Sequence, residues 1–301
     1  MFMMPKSNRK RVDAHQHFWR YSPVEFDWID EGMAEIRRDF LPDDLLPLLD
    51  EAGVDATVAV QARQSLEETE WLLNLAEEHD WIAGVVGWVP LASPGASEIL
   101  ERLTENAQLK GVRHVLQGEA DEYMERADFN AGIALLRRHS LTYDLLVLER
   151  QLPAAIGLVD RHPQQRFVLD HLAKPRIASH AFEPWRTHIR ELARRSNVCC
   201  KLSGMVTEAD FKAWTAQDLR PYFETVLEAF GPTRLLFGSD WPVCTVASSY
   251  ANWSNVVQQF IEELSEVEQG RILGGNAEDF YMLANLNRAE ETSNSELTSS
   301  N

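Results

Sequence analysis

The chain has 301 residues, with 29 lysines and arginines against 47 aspartates and glutamates, for a formal net charge of −18. That balance weighs against nucleic acid or an anionic membrane surface as a partner, since both reward a basic face. No apolar run reaches the roughly 20 residues of a membrane helix, and MFMMPKSNRKR lacks the apolar stretch of a secretory signal.

Residues 1–11 read as a disordered lead-in. From there, short apolar or β-branched runs recur along the chain: RVDAHQH, VDATVAVQ, WIAGVVGWV, LKGVRHVL, LTYDLLVL, RFVLDHL, NVCCKLSG and TRLLFGSD, eight in all. Such runs suit strands buried on both faces of a parallel sheet. Amphipathic stretches lie between them. PDDLLPLLDEAG starts on proline and acidic residues and stops at glycine, as a helix does. SLEETEWLLNLAEEH opens with a Ser-x-x-Glu capping box, and six further helices are read from SPGASEILERLTE to SYANWSNVVQQFIEEL. Strand and helix alternate eight times, which predicts an α/β fold, a single (β/α)8 TIM barrel over residues 12–285. A doubly wound sheet would carry a Gly-rich turn after its first strand, and DAHQHFW has none. Residues 286–301, polar and Ser-rich, read as a disordered tail. Cys199, Cys200 and Cys244 are odd in number and two are adjacent, so they read as buried, reduced thiols. Together with the missing signal, they predict a cytoplasmic protein.

In such a barrel, active sites are built at the C-terminal ends of the strands. In DAHQH, Asp13, His15 and His17 are spaced to share one face of the first strand. Gln61 ends the second strand and Trp88 the third, with Arg113, His114 and Gln117 at the end of the fourth. Tyr143 and Asp144 lie in the fifth, and His171 ends the sixth with Lys174 shortly after. Ser203 ends the seventh and Asp240 the eighth. Alternation predicts Arg113 facing the axis and His114 facing the helices.

The His-x-His on the first strand, the histidine on the sixth and the aspartate on the eighth resemble the amidohydrolase superfamily (amidohydrolase-related family 2). DAHQHFW, AGVDATVAVQA, GVRHVLQ, VLDHLAKP, CKLSG and LLFGSDWPV resemble, more narrowly, its group of sugar-acid lactonases, the L-fuconolactonase and L-rhamnonolactonase type. The resemblance spans residues 12 to 283 and implies hydrolysis at a carbonyl or phosphoryl centre. Its binuclear members use a carboxylated lysine or glutamate on the fourth strand and a histidine on the fifth. VRHV and TYDLL supply neither.

Opening a lactone takes a water, a base, a positive group against the carbonyl oxygen and a proton for the leaving alkoxide. Asp240 is the expected base, with His171, His15 and His17 as its catalytic partners. Arg113, Gln61, Tyr143, Lys174 and Ser203 are the expected substrate-binding side chains. Trp88, Trp241 and Trp19 offer flat faces for a sugar ring. A single divalent ion, zinc or manganese, on His15, His17 and Asp240 remains open. The positive charge of Arg113 opposes it, and the ion is expected to be dispensable. No organic cofactor is expected, the partner is a small sugar lactone, and a homo-oligomer is left open. The competing reading is a zinc-dependent decarboxylase of the same superfamily acting on an aromatic or enol acid.

Overall fold

The apolar runs form strands that are buried along nearly their whole length. The computed structural model describes residues 10–283; residues 1–9 and 284–301, which hold most of the expected lead-in and tail, lie outside the described residues. The strands are β1 (Val12–Gln16), β2 (Ala56–Val60), β3 (Ile82–Gly87), β4 (Leu109–His114), β5 (Thr142–Leu145), β6 (Phe167–Leu169), β7 (Val198–Leu202) and β8 (Leu235–Phe237). They make one 8-stranded sheet in the order β1 to β8, every neighbouring pair parallel. The sheet curls until its ends meet: Asp240 N donates to His15 O at 2.8 Å, and His17 N to Trp241 O at 2.7 Å. This is the expected (β/α)8 barrel.

The helices follow as expected: α1 (Pro42–Ala52), α2 (Leu66–Glu78), α3 (Ala96–Leu103), α4 (Ala127–Leu136), α5 (Leu152–Arg161), α6 (Trp185–Ala193), α7 (Ala216–Phe230) and α8 (Tyr250–Ile261), with two short additions, α9 (Glu266–Gly270) and α10 (Asn276–Tyr281). Helix α1 ends where Gly53 turns left-handed at φ 65°. The capping box expected at α2 is only half made. Ser65 Oγ accepts from Glu68 N at 3.3 Å. The Glu68 carboxylate instead accepts from Ala62 N and Arg63 N, at 3.0 and 2.8 Å, and so fastens the loop after β2.

Two apolar layers result. One lies between strands and helices and includes Leu72, Phe129, Trp185 and Trp253. The other fills the lower barrel with Val12, Ala14, Val58, Val60, Val86, Val168 and Leu236, and is capped by Ala277 and Tyr281 of α10. The apolar interior thus ends part-way up, and polar side chains take over toward the C-terminal mouth. Cys199, Cys200 and Cys244 are buried and unbridged. Among the described residues no helix is long and apolar enough to cross a membrane.

Candidate active site

The two histidines of DAHQH reach the axis through an irregularity. Asp13 pairs with Thr57 and Gln16 with Ala59, so β1 advances three residues while β2 advances two. Such a bulge re-aims the residues beyond it. Val12 and Ala14 face the interior, as do His15 and His17. Asp13, expected on the same side, faces outward instead: its carboxylate accepts from Ser239 N at 2.8 Å, His15 N at 3.1 Å and the Tyr250 hydroxyl at 3.1 Å. Burial pushes its pKa up to about 6, against the pull of these hydrogen bonds.

His171 is presented by unusual backbone. His171, Leu172, Ala173 and Lys174 are all left-handed, with φ of 52°, 54°, 59° and 51°. Each such residue costs about 1–2 kcal/mol, so the surroundings must hold the turn. Lys174 N donates to His171 O at 2.7 Å, and Trp185 Nε1 to Leu172 O at 2.7 Å. Gly204, itself at φ 63°, lets the ring in; a Cβ there would lie 2.5 Å from His171 Nδ1. Gly238 does the same for His15, whose Cβ would be 2.8 Å from an added one. Asp240 is also left-handed, at φ 58°. Strain of this kind collects where function requires a fixed geometry.

These turns bring His15, His17, His171 and Asp240 together, as expected. Asp240 Oδ1 lies 3.7, 3.4 and 3.9 Å from Nε2 of His15, His17 and His171, and the His15 and His17 Nε2 atoms are 3.1 Å apart. Burial alone would raise the Asp240 pKa; His171, the His17 hydrogen bond and His15 outweigh it and hold the carboxyl well below the usual range. Burial drops His171 to about 4. It also drops His15 far below its ordinary value, with the Lys201 charge adding to the effect. Burial therefore keeps His15 and His171 neutral beside an ionised Asp240 carboxylate.

The other expected residues divide. Arg113 faces the axis as predicted, and its Nη1 donates to Asp170 Oδ2 at 3.1 Å. Its Nη2 donates to the Gln61 carbonyl and side chain. Gln61 thus serves to orient the guanidinium. Ser203 Oγ lies 2.9 Å from His171 Nδ1 and steadies that ring. Lys174 lines the cavity and sits 3.6 Å from Glu208.

Four aromatic expectations are corrected. Tyr143 pairs with Val112 in the sheet register, one step from the Arg113–Asp144 pair, and so faces outward. There it packs edge-on against Phe129 and Phe167. Trp241 is buried edge-on against Phe18 and Phe40. Trp88 turns to the rim, where its Nε1 donates to His114 Nδ1 at 3.2 Å. Trp19 is buried too, and packs at right angles against Trp28, an aromatic that does line the cavity.

The sequence reading noted Asp144 on the fifth strand but missed Lys201 and Asp170, with which it forms the floor of the site. Lys201, Asp144 and Asp170 lie fully buried under His15, with Lys201 Nζ 2.6 Å from Asp144 and 3.1 Å from Asp170. A lysine inside the buried run CCKLSG and an aspartate inside VLDHL were the available signals. Above them opens a cavity of about 590 Å3 whose wall also includes Gln64, Glu208 and Phe211. Ligand atoms from His15, His171 and Asp240 all lie within 4.8 Å of one another. Two imidazoles and a carboxylate are donors that can hold a divalent ion. His17 also qualifies by its free nitrogen, since its Nδ1 faces the Val60 carbonyl at 2.8 Å.

Comparison with known proteins agrees with this geometry. An L-fucono-1,5-lactonase of Burkholderia multivorans is 44% identical over 287 residues, covering 91% of this chain and 96% of that protein. Another of that name, from Burkholderia ambifaria, is 39% identical over 278 residues, covering 91% and 96%. A crystal structure of an amidohydrolase from Burkholderia multivorans with bound zinc superposes with a TM-score of 0.88 at 43% identity, covering 91% of this chain and 99% of that one. The sequence model of the amidohydrolase family matches residues 12–283, from the first residue of β1 to the end of the described chain. The barrel and its converging strand ends are therefore those of a member of the amidohydrolase family.

Proposed function

We propose that the protein hydrolyses the lactone of a sugar acid, an aldonolactone such as L-fucono- or L-rhamnono-lactone. The observation that carries this beyond the family is the charge state of the cavity wall. Three cationic side chains of lysine or arginine line it, and each already has a carboxylate: Arg63 with Glu25, Lys174 with Glu208, Arg113 with Asp170. Glu25, Asp27, Glu208 and Asp240 line it as well. Among the described residues of the wall, a substrate entering as an anion finds no lysine or arginine without a partner; a neutral, hydroxyl-rich ring finds donors and acceptors on every side. Trp28, Leu146 and Phe211 add apolar patches suited to the ring's C–H face and to the methyl of a deoxyhexose.

In this reading the Asp240 carboxylate takes a proton from the attacking water, and the same proton later goes to the leaving ring oxygen. His15, His17 and His171 converge on the carbonyl and orient it, and the Arg113 charge behind them favours the developing oxyanion. The product is an acid, which the surrounding carboxylates repel from the cavity. If an ion is bound, His15, His171 and Asp240 hold it beside His17, and it would supply polarisation of the carbonyl and a more acidic water. The catalytic requirement for it is the open question, and dispensability is the expected answer.

The competing zinc-dependent decarboxylase would have to receive its acid substrate on the ion alone, because the lysine and arginine side chains described in the wall are already paired. The test follows acid release from a panel of sugar lactones with a pH indicator, before and after exhaustive chelation. Turnover surviving chelation supports the metal-independent form. Turnover restored only by added zinc makes the ion obligatory. Carbon dioxide release from an aromatic acid with no lactone turned over would overturn the reading.

A further inference from the structure

Of the three ion pairs in the cavity wall, two are hydrogen-bonded: Arg113 donates to Asp170 at 3.1 Å, and Arg63 to Glu25. The third stands open. Lys174 Nζ lies 3.6 Å from Glu208 Oε1, beyond the roughly 2.7–3.2 Å of a hydrogen bond. Among the described residues neither head makes a hydrogen bond of ordinary length, and each side chain is 23% exposed. An ammonium and a carboxylate thus keep donors and acceptors free in the same wall as His171 and Asp240.

The backbone brings both heads here. Lys174 ends the left-handed turn that starts at His171. Leu172 and Ala173 between them are buried in the apolar layer, so this turn delivers His171 and Lys174 to the cavity and nothing else. Glu208 comes from the short helical turn Val206–Glu208 after β7. Thr207 Oγ1 fastens that turn by donating to Gly204 O at 2.9 Å, next to the room that admits the His171 ring. Phe211, three residues beyond Glu208, adds an apolar ring to the same wall.

An ammonium can only donate and a carboxylate can only accept. A carbonyl or ether oxygen satisfies the first alone. A hydroxyl satisfies both, because its oxygen accepts while its hydrogen donates. An oxygen about 2.8 Å from each head closes a triangle on the 3.6 Å base, so the gap admits one hydroxyl. We propose that Lys174 and Glu208 together read one ring hydroxyl of the substrate, Lys174 donating to its oxygen and Glu208 accepting from its hydrogen. Glu208 is thereby a specificity-determining residue, and the pair sets how the ring lies when its carbonyl meets Asp240. The carbonyl rests on the lactonase reading; the hydroxyl contact rests on the pair.

The test compares the full chain with its Lys174→Met/Glu208→Gln double variant, which removes both charges and leaves neither unpaired. The substrates are the best lactone of the panel and its analogues that each lack one ring hydroxyl. On the parent lactone the double variant should lose about 10- to 100-fold in kcat/KM, the range for a hydrogen bond to a charged group. On one analogue the wild type should already show that loss, and the double variant should add less than about threefold to it. A loss of equal size on every analogue, or an undiminished kcat/KM on the parent, overturns the proposal. If the double variant does not fold, Glu208→Gln alone carries the same comparison. NMR titration with 1,5-anhydro-L-fucitol and 1,5-anhydro-L-rhamnitol, hydroxylated rings with no carbonyl, reads the pair without turnover. Affinity should fall about 10-fold or more in the double variant, and equal affinity overturns the pair. The expected weakening in a protein that opens no lactone would overturn the lactonase reading and leave the pair its role; neither binding nor turnover would overturn both.

Discussion

On β4 two neighbouring residues of similar chemistry go opposite ways. Arg113 faces the axis and the cavity. His114 faces the helices, where Glu119 sits 2.9 Å from its Nε2, Trp88 donates to its Nδ1, and Tyr123 stacks on it at 5.0 Å. The same contrast runs round the barrel. Outward polar groups such as Asp13, Glu68 and His114 are answered by the protein's own donors and acceptors. The inward His15, His17, His171 and Asp240 answer chiefly one another, above a buried layer of charge. A polar residue at a strand end is thus a candidate for chemistry only once its face is known.

Breaking the inner side should cost function and spare the fold. Asp240→Asn keeps the shape but removes the base, and kcat should drop about 10^3-fold or more while circular dichroism and Tm change little. Full activity in this variant would sink the mechanism.

Breaking the outer side should do the reverse. Glu68 is buried and its pKa is pushed up to about 7 by that burial, although Arg63 and its backbone neighbours pull it down. Over the range from its ordinary 4.5 to about 7, the unfolded chain releases a proton that the fold retains. Stability therefore falls as pH rises through that window, by about 3 kcal/mol in all. In Glu68→Gln this contribution vanishes, so its Tm should gain on the wild type between pH 5 and pH 8, with kcat/KM nearly unchanged. Parallel Tm curves for the two proteins would show that Glu68 ionises normally.

The smallest effect sharpens the contrast most. The Tyr143 hydroxyl is buried with no hydrogen-bond partner, among aromatic rings. Tyr143→Phe should leave kcat/KM within about twofold and stability unchanged or raised by up to about 1 kcal/mol. A tenfold rise in KM would return Tyr143 to the cavity.

The barrel was legible in the sequence because each buried strand and each amphipathic helix announces itself locally, eight times over. His15, His17, His171 and Asp240 were legible because barrel order places them at one mouth. Asp13 was misread because strict alternation cannot anticipate a bulge, and the same bulge is what turns both histidines inward. The left-handed turn from His171 to Lys174 has no glycine to signal it; it is held by Trp185 and by the room at Gly204, distant in sequence. Trp88 and Trp241 could not be placed by size and position alone, since a large aromatic fills the layer beneath a rim as readily as the rim itself. Lys201 lies hidden in an apolar run, and its meaning appears only when Asp144 and Asp170 close on it from two other strands.

Helix α10 carries a consequence for how the molecule comes into being. Tyr281 reaches Asp144 across 137 positions of sequence, and β1 waits for Asp240 and Trp241 before its free edge is joined. A ribosome releases β1 long before α10, so over that interval the growing sheet has an exposed edge and an unplugged interior. Contacts this far apart in sequence slow folding and leave sticky intermediates. The stretch that seats Asp144 emerges after the one that closes the barrel, and nascent chains halted before both should be the species that chaperones bind.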